Sequence, residues 1–236
     1  MIRFYAPDIK QCCELPESDS QHCVRVLRMR EGQEIEVVDG RGGLFRCRIA
    51  MASQHHTLLD IIEELSLPKV WKSELTVAIA PTKHNDRMEW LVEKLVEIGI
   101  DRIVPLRCER SERKEIKTER LLKIAVSAMK QSLKAILPDI HPTTPYMDFV
   151  NTCPSDSRFI AYCDASIPRR LYSRELRPGT DTTVLIGPEG DFSPKEITAA
   201  IDAGFVPVTL GDNRLRTETA ALVAADTFHV INQLNN

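Results

Sequence analysis

The chain lacks the features that would place it in several large classes. It has no Cys-x-x-Cys pair, and its seven cysteines are odd in number and scattered, so neither a disulfide framework nor a zinc site is supported. Reduced thiols in a cytoplasmic protein are the expectation. The six histidines show no metal-ligand spacing. The adjacent pair His55-His56 falls in a polar stretch and is expected on solvated surface, so no metal is expected. No stretch approaches the roughly 18 apolar residues of a membrane-spanning helix, and the N-terminus has no apolar signal-peptide core. No glycine-rich Rossmann fingerprint is present, which argues against dinucleotide oxidoreductases. The 236 residues are 43% hydrophobic, enough for one large or two small domains with a packed core.

What is present is a pair of glycine-bearing turns near the C-terminus. Val184-Leu185-Ile186 runs into Gly187-Pro188-Glu189-Gly190-Asp191-Phe192-Ser193. Further on, Val206-Pro207-Val208-Thr209-Leu210 runs into Gly211-Asp212-Asn213-Arg214-Leu215-Arg216-Thr217-Glu218. Short β-branched runs that stop at glycine before a helix start read as βα units, and ligands of α/β sheets collect at the carboxyl ends of the strands. Two such turns facing one another would make a pocket. The helix after the first turn is well signalled, with Ser193 as N-cap, Pro194 at the first helical position, Glu196 completing a capping box and Gly204 closing the end. A second helix opens near Thr217 and runs through Ala220-Ala221-Leu222-Val223-Ala224-Ala225, where small residues permit close approach or simply a buried core.

Two domains are expected. Ile35 to Val38 alternates, Asp39-Gly40 is a hairpin turn and Leu44 to Ile49 alternates again, which reads as a small β-barrel over residues 1–70. Ser66 to Lys72 breaks periodicity and serves as linker. An α/β domain follows over 73–236, with a strand Leu75 to Ala80, a helix Trp90 to Ile98 capped by Gly99, and a strand Arg102 to Leu106. A basic helix, Thr118 to Ile136, a proline-containing stretch from Pro138 to Pro154 and a strand near Phe159 to Tyr162 come next.

Formal net charge is -3, yet the charge is unevenly distributed. Residues 102–134 carry Arg102, Arg107, Arg110, Arg113, Lys114, Lys117, Arg120, Lys123, Lys130 and Lys134 against Glu109, Glu112, Glu115 and Glu119. Arg25, Arg28 and Arg30 form a second cluster with no acid between Gln21 and Arg30. Phosphate binding and a solvated helical face are both open readings of these clusters.

The run Gly187-Pro188-Glu189-Gly190-x-Phe192-Ser193, followed by Leu210-Gly211-x-x-x-Leu215-Arg216-Thr217-Glu218-Thr219-Ala220, resembles the signature of the SPOUT methyltransferases. The specific likeness is to the bacterial RsmE type, which methylates uridine N3 in 16S ribosomal RNA. It extends over nearly the whole chain. His22 to Arg28, Gly32 and Asp39-Gly40-Arg41-Gly42-Gly43 look like that family's barrel domain. Lys94, Glu97-Ile98-Gly99, Ile103 to Leu106, Glu109-Arg110-Ser111 and Gln131-Ser132 match in order and spacing. The chain departs from the pattern at Lys130-Gln131-Ser132-Leu133-Lys134, where the family usually has Glu-Gln-Ser-x-Arg. It departs again at Asp191, where glycine is common, and at Asp212-Asn213-Arg214. Lysine lacks the bidentate fork of arginine, so RNA contact at that run is expected to be less geometrically exact.

The resemblance implies a PUA-like β-barrel followed by an α/β domain whose C-terminus threads a trefoil knot holding S-adenosylmethionine. The cofactor residues it implies are Leu185, Ile186, Gly187, Pro188, Glu189, Gly190, Leu210, Gly211, Leu215, Arg216, Thr217, Thr219 and Ala220. Arg25, Arg28, Arg110, Lys130, Gln131, Ser132 and Lys134 are the expected contacts to 16S ribosomal RNA of the small subunit. A homodimer is implied, with no membrane association. Uracil N3 carries a proton that must leave, so a base must take it or a cation must stabilise the anion. Arg216 is the candidate for anion stabilisation and Glu218 or Glu189 for proton acceptance, while Glu218 has the alternative role of stabilising its helix dipole. Two other readings stay open: a SPOUT methyltransferase acting on another RNA or on a ribose 2′-hydroxyl, and a non-catalytic RNA-binding or ribosome-assembly protein.

Overall fold

The alternation at the N-terminus forms an antiparallel hairpin of Glu34–Val38 and Gly43–Met51. Its turn is set by the Asp39 carboxylate, whose Oδ1 accepts from the amides of Arg41 at 2.8 Å and Gly43 at 2.9 Å. Thr57–Ser66 extends the sheet, and Arg3–Tyr5 and Glu14–Leu15 close its two ends in the order Arg3–Tyr5, Glu34–Val38, Gly43–Met51, Thr57–Ser66, Glu14–Leu15. One face buries Phe4, Ile35, Val37, Phe45, Cys47 and Ile49. The expected small barrel is thus a five-stranded sheet over one apolar core. Between the strands, Glu17–Gln21 continues into a π-helical turn, His22–Val26, which carries exposed Arg25. Arg28 follows in the left-handed region at φ 54°.

The computed structural model describes residues 2–164 and 167–234. The chain divides into two units, residues 1–70 with 126–137, and residues 71–125 with 138–236. The linear division expected from the sequence, 1–70 and 73–236, leaves out the return of 126–137 to the first unit. Three interactions hold that return. Gly42 donates its amide to Ala135 at 2.9 Å, Leu137 donates to Gly40 at 2.9 Å, and Lys130 Nζ lies 2.9 Å from Asp19 Oδ1. The helix expected to reach Ile136 spans Thr118–Gln131. It stops because Leu133 takes a left-handed φ of 56° and Lys134 donates back to the Met129 carbonyl, a Schellman-type ending.

The second unit is built on a parallel sheet. Its order is Arg170–Leu171, Val206–Thr209, Ser157–Ala161, Thr182–Ile186, Leu75–Ile79, Arg102–Arg107, Asp139–Ile140, with Thr144–Pro145 also paired to Arg102–Arg107. Leu75–Ile79 and Thr182–Ile186 are buried at every position, as continuous apolar runs in a covered parallel sheet should be. The helix Asn85–Ile98 starts earlier than the expected Trp90 and ends on Gly99 at φ 131°. Pro194–Asp202 has the full capping box of Ser193 and Glu196. Thr217–Leu234 turns Ala221, Ala224 and Ala225 inward with Phe228. The unit begins two residues earlier than expected because Trp71 is anchored, its Nε1 donating to Asp101 at 2.8 Å, whereas neighbouring Val70 is 92% exposed. Among the described residues, no helix is long and apolar enough to cross a membrane and no His/Cys/Asp/Glu cluster could hold a metal.

Asp19 also accepts from the Tyr5 amide at 2.9 Å, so it pins both the first strand and the 126–137 segment. Asp19→Ala should lower stability by about 2 to 4 kcal/mol, and Lys130→Ala by about half that, because removing one partner of a largely buried pair strands the other. Chemical denaturation of the two variants checks this; equal and negligible losses would show that the pair is dispensable.

Candidate active site

The carboxyl ends of Thr182–Ile186 and Val206–Thr209 bring the two glycine turns together. At the first turn, Gly187 has no side chain because Phe192 is folded back beneath it: a Cβ there would lie 3.1 Å from Phe192 Cδ2. The turn is clamped from outside by residues 108–111. Arg110 Nη1 donates to the carbonyls of Gly190 at 3.1 Å and Phe192 at 3.3 Å. The Glu196 carboxylate accepts from the amides of Glu109 and Ser193, both at 2.8 Å. The second turn is held by Thr209, whose hydroxyl donates to the Gly211 carbonyl at 2.7 Å, with Gly211 at φ 123°. The Thr217 hydroxyl then donates to the Gly187 carbonyl at 3.1 Å, joining the turns directly.

Between them lies a cavity of about 940 Å³. Eleven of the thirteen predicted cofactor positions line it. Leu185 does not, since strand alternation turns it into the core beside Ala78 and Ile160. Thr219 opens onto an adjoining cavity of about 710 Å³ instead. Arg216 borders both cavities. Tyr162, Cys163, Asp164 and Arg169, which no sequence motif marks, form a further wall of the larger cavity. They follow the strand Ser157–Ala161. The Tyr162 hydroxyl has no hydrogen-bond partner, and burial raises its pKa. Arg169 stacks over its ring, 5.7 Å from the centroid. The departure at Asp191 has a clear role. Its backbone is left-handed at φ 63°, and its Oδ2 accepts from the amides of Cys163 at 2.9 Å and Asp164 at 3.3 Å.

The two candidate proton acceptors differ. Glu189 is exposed, and its Oε1 accepts from the Lys83 amide at 3.1 Å. Glu218 is 7% exposed; Arg87 Nη1 is 3.6 Å from its Oε1, and its Oε2 is buried with no partner. The expected RNA contacts fall into different settings. Arg25, Arg28 and Gln131 are exposed on the first unit. Lys130 is paired with Asp19, the Ser132 hydroxyl bonds the Ala128 carbonyl, and Lys134 is half-buried. Arg110 belongs to the second unit, where it braces the first turn.

Residues 69–229 match the family model of an RNA methyltransferase domain. The chain belongs to that family. Residues 15–62 match its companion, the RNA methyltransferase PUA domain, a span that contains the Glu34–Val38 and Gly43–Met51 hairpin. A probable rRNA-methyltransferase from Porphyromonas gingivalis is 46% identical, with a TM-score of 0.95 and full coverage of both chains. A ribosomal RNA small subunit methyltransferase E from Neisseria gonorrhoeae, solved bound to S-adenosyl methionine, is 29% identical with a TM-score of 0.86, covering 98% of each chain. A protein of the same name from Synechocystis is 28% identical over 221 residues, 92% of this chain and 72% of that one.

Asp191→Gly keeps the left-handed backbone but removes the carboxylate, and with it the tether to Cys163 and Asp164 and the acceptor of the Phe192 amide. Amide exchange at Cys163 and Asp164 should accelerate on the order of tenfold, the worth of one such hydrogen bond, with the rest of the sheet unchanged. Unaltered exchange at both amides would assign the order of that wall to other contacts.

Proposed function

We propose that this protein is an S-adenosylmethionine-dependent methyltransferase that methylates N3 of a specific uridine in 16S ribosomal RNA of the small ribosomal subunit, in the cytoplasm. The observation that carries the reading is the cavity made jointly by the two turns. Its volume suits a ligand of this size, and Gly211, with nothing within 4 Å of where a Cβ would stand, leaves the backbone open to it. The partnerless Tyr162 hydroxyl is a polar group left for a ligand to satisfy. Ile186 to Gly190, Leu210, Gly211, Leu215 to Thr217 and Ala220 would hold the cofactor. When bound, that cofactor would supply a methyl group on a sulfonium, whose sulfur would keep the electron pair of the bond given up.

This chain's own side chains manage the proton and the charge. Glu218 Oε2, buried and without a donor, accepts the N3 proton in preference to Glu189, whose carboxylate is already engaged. Arg216 stabilises negative charge spread over the uracil oxygens. Positioning supplies the remaining rate advantage, since the reaction is an in-line displacement. Arg25, Arg28 and the helix-ending turn from Gln131 to Lys134 are read as phosphate and RNA contacts of the first unit, and Arg110 of the second. Threading of the C-terminus as a trefoil knot belongs to the same reading and rests on the family resemblance of the two turns.

We further infer a homodimer. The alanines expected to permit close helix approach face the core, so the interface falls on the opposite side of Thr217–Leu234, which presents Val230 and Leu234 to solvent. Sedimentation at micromolar concentration should give about twice the 26.7 kDa chain mass, and Val230→Asp should shift it toward monomer. A single chain-mass species in the wild type would refute the dimer.

Nucleoside mass spectrometry of 16S ribosomal RNA from a deletion strain is the deciding test. N3-methyluridine should disappear and return with the wild-type protein. Gly211→Val should fail to restore it, because valine is strained at φ 123° and fills the cavity. Loss of a ribose methyl, or of a modification in another RNA, would favour the alternative substrates. For the cofactor, Cys12 and Cys163 are the exposed thiols, whereas buried Cys47 has its pKa pushed up to about 11. S-adenosylhomocysteine should slow alkylation of cavity-lining Cys163 severalfold and leave Cys12 unchanged. Equal labelling with and without it would place the cofactor elsewhere.

A further inference from the structure

We infer that the 710 Å³ cavity beside the cofactor cavity receives the target uracil, with Trp90 as its stacking platform and Arg87, Glu218 and Arg216 reading its Watson–Crick edge; this rests on the uridine-N3 reading above. Arg87, Arg214, Leu215 and Arg216 line both cavities, so a group held in one is separated from the other only by their side chains. The cavity is floored by the start of Asn85–Ile98 and roofed by the turn entering Thr217–Leu234.

Trp90 lies on this wall one helical turn beyond Asp86 and Arg87, and it is 43% exposed. The indole is left partly open beside Arg87, Arg214 and Arg216. This matches the means by which enzymes hold an extruded base, which is stacked on an aromatic face and hydrogen-bonded along its pairing edge. The second observation is the Glu218 carboxylate. Nine-tenths buried in a wall of this cavity, it leaves Oε2 without a donor, a costly state that a ligand would relieve.

The chemistry of the wall selects the base. Uracil presents acceptor, donor, acceptor along O4, N3–H and O2. A carboxylate flanked by guanidinium groups presents the complement, donor, acceptor, donor. Glu218 accepts from N3–H while Arg87 and Arg216 donate to the two carbonyl oxygens. Arg87 already lies 3.6 Å from Glu218, so the two groups act on neighbouring atoms. Cytosine offers an unprotonated N3 to the same carboxylate, two acceptors face to face, and is rejected. Trp90 and Arg87 are therefore positioning and specificity groups for the reaction, distinct from the residues that hold the cofactor.

The test is methylation of small ribosomal subunits by Trp90→Ala, Trp90→Phe and Glu218→Gln, with cofactor affinity by calorimetry and oligomeric state by sedimentation. Trp90→Ala should raise KM for the subunit at least fivefold, Trp90→Phe should recover most of that loss, and cofactor affinity should stay within twofold. Glu218→Gln, similar in size, should reduce kcat at least a hundredfold and narrow the binding preference for the natural subunit over one carrying cytidine at the target. Wild-type kinetics in Trp90→Ala and Glu218→Gln, or a Trp90→Ala defect accompanied by loss of the dimer, would overturn the inference and make Trp90 a bystander or a subunit contact. If the wild type itself leaves uridine N3 unmodified, the proposed function fails instead, so the two failures are separable.

Discussion

One hydrogen bond, from the Thr217 hydroxyl to the Gly187 carbonyl, holds the parts of the site in register. It joins the first residue of the last helix to the end of a central strand thirty residues earlier, so neither turn can open without the other. Both atoms are buried, where an unmade bond leaves a desolvated carbonyl and is expensive. The consequences run outward from that point. The next residue along the helix, Glu218, is forced into the interior, and the residue before, Arg216, is left at the rim of both cavities. A threonine here acts as a fastener whose position decides where charge can stand.

The clamp around the first turn works by the same economy of buried polar groups. Glu196 both caps its own helix and accepts from Glu109, while Tyr146 donates to the Glu196 carbonyl at 2.8 Å. Burial, and the nearby Glu196 charge, raise the pKa of Tyr146, which keeps it a neutral donor. The segment 108–111 thus supports the Gly187 to Phe192 loop from behind. A site assembled almost wholly from backbone at strand ends needs this kind of external bracing, because its own residues contribute few side-chain contacts.

What could be read in the sequence was whatever is encoded locally. The capping box at Ser193, the left-handed Gly99 and the continuous apolar strands each rest on residues within a few positions of one another, and the structure has all three. Eleven of the positions that line the larger cavity were legible because glycine and helix-start signals mark both turns. The wall of Tyr162, Cys163, Asp164 and Arg169 was not, because those residues reach the cavity through strand order alone. The end of the basic helix was misjudged for a related reason: Leu133 carries no glycine or proline to announce its left-handed turn. The two departures from the family pattern make sense only in three dimensions. Lys130 is answered by Asp19, more than a hundred residues earlier, and Asp191 takes on the work of fastening the neighbouring loop.

The return of 126–137 to the first unit bears on how the chain comes off the ribosome. The hairpin turn at Gly40 to Gly42 finds its partners in Ala135 and Leu137, and Arg41 bridges to Ile136. Those residues are synthesised only after two strands and a helix of the second unit have already emerged. The N-terminal unit therefore cannot finish folding in order of synthesis. Its sheet must wait with one edge of its turn unpaired while the opening of the next unit is made, and the two become coupled during translation, though each has a core of its own.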